Sequence, residues 1–319
     1  MIDGTHYSIW FPSFPFECRL VHDRPKMKLL LNLFGFYNIR LPKSGAAAGR
    51  KIYFCAIFGF YCFCIHKMFF WSVKNKKPII FNIQFFLNQA VSVMWMVTPL
   101  INLIQFAFCV DHKRFSAEIR ELSEELAVSS GHVIRVRNFY FDFVSHVFIT
   151  VLMLSGFYFT IRWPGSQFSD YFSLSFLETI TFLPGIYYLQ ILFRLLRLHN
   201  IISRGLRTKI DLFNLSFTDN SLRSRHGLYF SHWREKIRVF MSQQKRVLTL
   251  IFYELGQDFG YSIVLLVSFI SMNIVFDFSW INNADVEFQL YAAVKDCFTF
   301  GYVIVLFISG QYTTNTVSI

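Results

Sequence analysis

The sequence predicts an all-α, polytopic helical membrane protein with a cytoplasmic N-terminus, and three observations carry this prediction. The 319 residues are 54% hydrophobic and only 16% charged, with a mean hydropathy of +0.40, more apolar than a soluble domain of this size. Six apolar runs each reach the ~20 residues that cross hydrocarbon. Basic residues concentrate in alternate connections between these runs.

The six predicted crossings differ in length and shape. They cover roughly 52–73, 79–110, 139–161, 172–196, 259–281 and 288–310. The second run exceeds the thickness of a bilayer, so we expect a tilt or a bend at Pro99, and Pro184 is expected to shape the fourth crossing in the same way. Gly256 and Gly260 form a small-xxx-small pair at the start of the fifth crossing, which permits close approach of another helix.

The orientation follows from the basic residues. The first 51 residues, the connection 111–138 and the segment 194–257 hold 8, 5 and 12 of the 31 basic residues, whereas the other connections hold 3, 1 and 0. The positive-inside rule therefore places the N-terminus and both long connections in the cytoplasm.

This orientation divides the chain into two parts. Residues 1–51 form a cytoplasmic N-terminal segment, with an amphipathic helix expected on the inner leaflet. Residues 52–319 form a transmembrane domain, with helical cytoplasmic extensions over 111–138 and 199–257. Ser116 is expected as the N-cap of the helix in the first extension.

Composition and motif spacing argue against several classes of protein. The net charge of +11 lies in segments expected to face anionic inner-leaflet lipid, so no nucleic acid is expected as a partner. The motifs of hydrolases, metalloproteases and nucleotide-binding enzymes are missing, so we expect no catalytic residues, no cofactor and no enzymatic activity. The six cysteines and nine histidines show no ligand spacing, and no metal is expected.

Charged residues inside the last three crossings indicate a candidate site. Such a charge needs a partner, water or the interface, because burying it in hydrocarbon is costly. In one interpretation these groups ring a vestibule that is open to the outside and binds a small organic ligand. In the other, Lys295 pairs with Asp277 or Glu178 to hold helices together, and Asp296 reaches outward. The candidate ligand contacts, chosen by depth and polarity, are Tyr158, Glu178, Asn273, Asp277, Trp280 and Lys295.

Two stretches of sequence and two topological features resemble a known family. The stretches are residues 27–37 (MKLLLNLFGFY) before the first crossing and residues 254–261 (ELGQDFGY) at the start of the fifth. The features are the inward N-terminus and the long basic connection after the fourth crossing. Together they resemble the insect gustatory receptors across nearly the whole chain, in topology more than in individual residues.

The resemblance implies a fold, a location and an activity. It implies a plasma-membrane receptor of seven helices that assembles as a homo- or hetero-tetramer with related subunits. In that family the seventh helix lines a cation pore, and helices two to six enclose a pocket for small organic molecules. We therefore expect a chemosensory receptor, a subunit of a ligand-gated cation channel. The resemblance leaves the identity of the ligand open.

The C-terminus departs from the family pattern. The family usually ends in a seventh crossing with Thr-Tyr, an apolar stretch and Gln-Phe, whereas this chain stops at Ile319. Tyr302 and Gln311-Tyr312 match that pattern only in part, and the last run aligns better with the sixth helix. A non-conducting, receptor-like accessory subunit therefore stays open as an alternative.

Two further classes are less compatible with the sequence. A membrane transporter would be expected to have broken helices and repeated halves, and the hydropathy of the first three runs does not mirror that of the last three. A G-protein-coupled receptor would need the opposite orientation and a seventh crossing.

Overall fold

Helices make up the computed structural model wherever it describes a regular element. The described residues are 31–36, 46–74, 83–108, 110, 112–130, 139–162, 168–218, 227–280 and 286–317. Within them lie α1 (Ala46–Lys74), α2 (Ile83–Phe108), α3 (His112–Ser130), α4 (Phe139–Arg162), α5 (Phe168–Thr218), α6 (Gly227–Thr249), a π-helical turn (Leu250–Glu254), α7 (Leu255–Trp280) and α8 (Val286–Val317). The prediction of an all-helical fold is confirmed for these residues.

Four helical segments are long and apolar enough to cross a membrane. They are Ala90–Phe108, Phe176–Leu212, Trp233–Val275 and Ala292–Gln311, and α4 contributes a shorter apolar stretch, Asp142–Ser155. Large apolar side chains lie on their outward faces, among them Val264, Tyr261 and Phe307. A surface of this kind suits contact with lipid, because apolar side chains on membrane helices face either lipid or neighbouring helices.

The centre of the bundle is α5. This helix of 51 residues contacts every other helix from α1 to α8 and the π-helical turn, α3 included. Within the most apolar 18 residues of this helix, 89% are enclosed by the rest of the protein. A helix that is apolar on all sides lies either in the interior of a protein or in lipid. The burial of α5 places it in the interior of the bundle, where it fixes the positions of its neighbours.

Three side chains of residues 31–36 pack between helices of the bundle, and the expected contact of the amphipathic segment with the inner leaflet stays a prediction. Leu31, Phe34 and Phe36 are buried. The Phe34 ring lies 5.7 Å from that of Phe176 on α5, and the Phe36 ring lies 5.1 Å from that of Phe106 on α2. Apolar pockets between helices remove these rings from lipid headgroups as well as from water. The rest of the 27–37 stretch lies outside the described residues.

Gly35 makes the turn that allows this insertion. Its φ is +79°. The Phe36 N–H donates to the Leu31 carbonyl at 2.8 Å, and the Gly35 N–H donates to the Asn32 carbonyl at 3.1 Å. These two bonds form a Schellman motif, in which glycine occupies the left-handed position and the flanking apolar residues meet.

Replacing Gly35 by alanine should therefore destabilise the protein. A side chain at positive φ costs about 1–2 kcal/mol, and the added Cβ would lie 2.9 Å from Ile57 Cγ2. We expect a lower thermal unfolding midpoint for the detergent-solubilised variant. Gly59→Ala on α1 is the matched control, because its added Cβ would meet no atom within 4 Å. Equal midpoints for the two variants would contradict this role for Gly35.

Helices α6 and α7 form one continuous rod, and the π-helical turn between them changes the direction in which the following side chains point. Phe240 and Val247 on α6 and Phe259 and Leu266 on α7 are all buried, although an uninterrupted α-helix would point the two pairs in different directions. A π-helical turn contains one additional residue and rotates the helix faces on either side of it relative to each other. Both halves of the rod can therefore face α5.

Two glycines place helices in close contact. A Cβ on Gly185 would lie 2.3 Å from Leu266 Cδ2 and 2.3 Å from Tyr302 Oη, and one on Gly205 would lie 2.8 Å from Phe240 Cε1. In contrast, a Cβ on Gly256 or Gly260 would meet no atom within 4 Å. The small-xxx-small pair therefore makes no close approach within the described part of this chain, and the close approaches are made by α5.

The structure corrects the expectation that Ser116 is the N-cap of α3. Because α3 begins at His112, Ser116 lies inside the helix and cannot be its N-cap. The apolar residues of α3 do follow helical spacing, with Phe115, Ile119, Leu122 and Leu126 buried. The amphipathic pattern thus predicted the helix correctly, whereas the first turn could not be placed from a single serine.

Candidate functional site

A buried ion pair joins α5 to α8. Lys295 Nζ lies 3.5 Å from Glu178 Oε1, and the two side chains are only 5% and 2% exposed. Each charge alone would be costly to remove from water, and in this arrangement the two charges compensate each other. Of the two partners that the sequence offered for Lys295, Glu178 is the one in contact with it among the described residues.

Asn273 on α7 lies at the same level of the bundle. The rings of Phe182 on α5 and Phe269 on α7 are 6.1 Å apart, and the two helices run antiparallel. Glu178 precedes Phe182 by one helical turn and Asn273 follows Phe269 by one turn, so both reach the same height. Asn273 is 2% exposed, and its Oδ1 has no hydrogen-bond partner among the described residues. Glu178, Asn273 and Lys295 are called the polar layer below.

An aromatic layer lies one turn below the polar layer, made by residues from four helices. The Phe182 ring lies 5.3 Å from Phe148 on α4 and 6.4 Å from Tyr302 on α8, and Phe148 also lies 5.5 Å from Phe298. With Phe269 these rings meet mostly edge to face, the geometry that aromatic pairs prefer. The polar layer is therefore separated from the lower half of the bundle by packed rings.

The aromatic layer rests on a local irregularity of α5. Pro184 has no N–H and cannot donate to the carbonyl one turn earlier, and Gly185 provides the space that the Tyr302 hydroxyl occupies. That hydroxyl is buried and has no hydrogen-bond partner among the described residues. A buried unpaired hydroxyl costs about 1–3 kcal/mol, so this packing is maintained by the surrounding rings.

The structure describes the other predicted site residues only in part. Tyr158 lies on α4 with 50% of its surface exposed. Asp277 and Trp280 lie in the last two turns of α7, above Asn273, and their side chains lie outside the described residues. The structure therefore brings Glu178 and Lys295 into contact and places Asn273 level with them.

Sequence reasoning missed a row of polar residues on α2. Thr98 and Asn102 are fully buried and have side-chain atoms without a hydrogen-bond partner among the described residues. Gln105 donates to the Asp258 carbonyl at 2.6 Å and accepts from the Ser262 hydroxyl at 2.7 Å. The three residues follow the spacing i, i+4, i+7 on an apolar helix, and this periodicity is a signal that could have found them.

The opposite end of the bundle carries a charged network between α3 and the α6–α7 rod. Arg114 donates to Glu118 at 2.9 Å and also to Glu254, while Arg246 donates to Glu121 at 2.8 Å. The hydrogen bond that Arg114 donates to Glu118 raises the pKa of Arg114 above its usual value, and the negative charges of Glu254, Glu118 and Asp258 add to this. Glu254 thus joins this network through Arg114 of α3.

A cleft of about 380 Å³ lies beside this network. The residues around it nearly cancel in charge, since Arg114, Lys245 and Arg246 are balanced by Glu118, Glu121 and Glu254. Pairs of this kind on exposed surfaces contribute little individually and more as a network. We therefore assign the network the role of holding α3 against the rod.

The structure offers no metal site among the residues it describes, because they contain no group of three or more His, Cys, Asp or Glu side chains that could hold an ion. Comparison with known proteins identifies no matching family model, no similar curated protein and no similar solved structure. A functional assignment must therefore come from the residues of this chain.

Proposed function

We propose that this chain is a chemosensory receptor of the gustatory type, a multi-pass plasma-membrane subunit of a ligand-gated cation channel that detects small organic molecules. The observation that supports this most directly is the polar layer above packed aromatic rings. Ligand sites are commonly built in this way, from mostly apolar and aromatic walls with a few polar groups that fix orientation. The subunit would act in a homo- or hetero-tetramer with related subunits.

In the proposed mechanism a ligand binds at the polar layer and shifts a conformational equilibrium of the surrounding helices. Glu178 and Lys295 neutralise each other, so the layer favours an uncharged ligand, and Asn273 Oδ1 supplies an acceptor without a partner among the described residues. Because the layer is enclosed, entry requires α5, α7 and α8 to separate at this end. A ligand that binds the separated arrangement more tightly shifts the equilibrium by that difference in affinity, and by no more.

The proposed topology has six crossings, by α1, α2, α4, α5, α7 and α8, with the N-terminus in the cytoplasm. It is supported by the uneven distribution of basic residues. Under this topology α3, α6 and the C-terminal third of α5 project into the cytoplasm. Asn214 of the sequon Asn214-Leu215-Ser216 should then stay unmodified, whereas a sequon introduced into the connection 163–167 should be glycosylated. Sugar on Asn214 would reverse the orientation and remove the support for the receptor.

Ligand-evoked currents test the function. We expect whole-cell recordings to show a cation current on application of an uncharged organic ligand, and Asn273→Leu to raise the half-maximal concentration roughly tenfold, as expected for one lost hydrogen bond in an enclosed site. Ser271→Ala is the control, since Ser271 lies two residues away on an exposed face of α7. Unchanged sensitivity of Asn273→Leu at normal surface expression would exclude the polar layer as the site.

Co-expression separates the receptor from the accessory subunit. A current that requires a related partner subunit, with sensitivity still set by Asn273, would support a ligand-binding subunit of a mixed channel. A partner current whose ligand sensitivity is the same with and without this chain would instead support a non-conducting accessory role.

A further inference from the structure

Beyond the uncharged segment 179–193, α5 forms a tight antiparallel pair with α6. Gly205 faces the ring of Phe240, and this contact sets the register of the two helices. One turn further along α5, Lys209 Nζ lies 5.3 Å from the centroid of the Phe240 ring and 5.7 Å from that of Trp233. The Lys209 ammonium is therefore held over two aromatic faces, an arrangement that attracts a cation and restricts its side chain.

A second ammonium lies close enough to the first to interact with it electrostatically. Lys236 lies between Trp233 and Phe240 along α6, three residues after one and four before the other, so helical spacing places it on the same side of the helix. Its charge and that of Lys209 repel each other. Neither lysine makes a salt bridge to any described residue. Two neighbouring cations without an acid between them are unfavourable until an anion joins them.

The surroundings add to the positive potential. Residues 204–211 and 234–238 contain six cations, Arg204, Arg207, Lys209, Arg234, Lys236 and Arg238, against the two acids Asp211 and Glu235. Each acid follows or precedes a lysine by one or two residues, and helical geometry turns it away from the space between the two lysines. The α5–α6 pair is therefore far more positive than the charge-balanced cleft beside α3.

We propose that Lys209 and Lys236 form a binding site for a phosphate group of a soluble polyphosphorylated molecule. Phosphate oxygens accept charge-assisted hydrogen bonds from both ammonium groups at once, which replaces repulsion by two attractive contacts. Trp233 and Phe240 position the Lys209 ammonium. This site is separate from the polar layer and is independent of receptor activity.

The position of the site along α5 selects a soluble phosphate over a lipid headgroup. The segment 179–193 contains no charged residue, and Arg194 marks the end of this stretch. Lys209 lies 15 residues beyond Arg194, or about 22 Å along a helix that rises 1.5 Å per residue. Headgroups extend only about 5–8 Å beyond the hydrocarbon. This choice of source rests on α5 crossing the membrane as proposed above, whereas the site itself does not.

Titration of inositol hexakisphosphate into the full-length protein in phosphatidylcholine nanodiscs tests the proposal. We expect binding that weakens as salt is raised, and Lys209→Gln or Lys236→Gln should each raise the Kd at least roughly tenfold. Lys209→Arg should retain most of the affinity because it keeps the charge. Lys245→Gln is the matched control, an exposed lysine on α6 that makes no salt bridge to any described residue; its Kd should stay within about twofold.

Three outcomes would overturn the proposal. The first is an absence of binding to the unmodified protein, and the second is an equal loss in Lys245→Gln and Lys236→Gln, which would indicate attraction to net charge alone. The third is a block of the soluble ligand by the lipid. If the unmodified protein binds the soluble ligand in phosphatidylcholine nanodiscs but not in nanodiscs that also contain phosphatidylinositol bisphosphate, the site would be assigned to a lipid. Failure of the channel recordings would leave the measured Kd unchanged, so the two proposals fail separately.

Discussion

Replacing Lys295 by methionine should lower the free energy of unfolding by about 3–5 kcal/mol, because the buried carboxylate of Glu178 would lose the positive charge of Lys295. This is among the largest losses that a single substitution produces. Lys295 and Glu178 are almost fully buried, so water cannot replace the missing partner. The measurement is the fraction unfolded in a denaturant titration of the solubilised protein, followed by circular dichroism.

The double variant Glu178→Leu with Lys295→Met is the decisive control. Removing both charges also removes both desolvation costs, so its stability should return close to that of the unmodified protein. The same variant separates the two interpretations of the pair. If the pair only holds α5 to α8, ligand-evoked currents should persist in the double variant, and if it also contacts ligand they should be lost although the protein is folded. A double variant that is as unstable as the single one would refute the ion-pair energetics.

Replacing Gly185 by alanine should also destabilise the protein, by about 1–3 kcal/mol, the usual cost of adding a methyl group to a filled core. The new Cβ would lie 2.3 Å from both Leu266 Cδ2 and Tyr302 Oη, so α7 or α8 must move outward. The expected result is a lower thermal unfolding midpoint. Tyr302→Phe in the same chain should recover part of the loss, because it removes one of the two colliding atoms.

Gly256→Ala provides the matched control for this prediction. Its added Cβ would meet no atom within 4 Å, and alanine is favoured over glycine inside a helix by about 1 kcal/mol. We expect its midpoint to equal or exceed that of the unmodified protein. If Gly185→Ala behaves like Gly256→Ala, the close packing of α5 against α7 and α8 is wrong.

A comparison of Gly256 and Gly260 with Gly185 shows how much of the helix packing can be predicted from the sequence. The four-residue spacing of Gly256 and Gly260 indicates that both lie on one side of a helix, but the spacing carries no information about what lies opposite that side. Gly185 has no second glycine at that spacing, and it is essential because Leu266 and Tyr302 converge on it from two other helices. Close approach depends on helix register, which a single sequence does not specify.

The same limit applies to the candidate site. Sequence reasoning predicted that the charges inside apolar helices need partners, and it named Glu178 as one of two partners for Lys295. It could not choose between Glu178 and Asp277, because the choice depends on how far α8 is shifted along its neighbours. The insertion of residues 31–36 was missed for a related reason, since an apolar helical face packs equally well on lipid or in a groove between helices.

The π-helical turn at Leu250–Glu254 makes the α6–α7 rod sensitive to the insertion or deletion of a residue at this position. Deleting one residue there would convert the turn to an ordinary α-helix and rotate everything before it by about 100°, the angle between successive helix positions. Phe240 would then turn away from Gly205, and Arg246 would turn away from its acids on α3. An insertion or deletion of one residue in this stretch should therefore be less well tolerated than most substitutions within it.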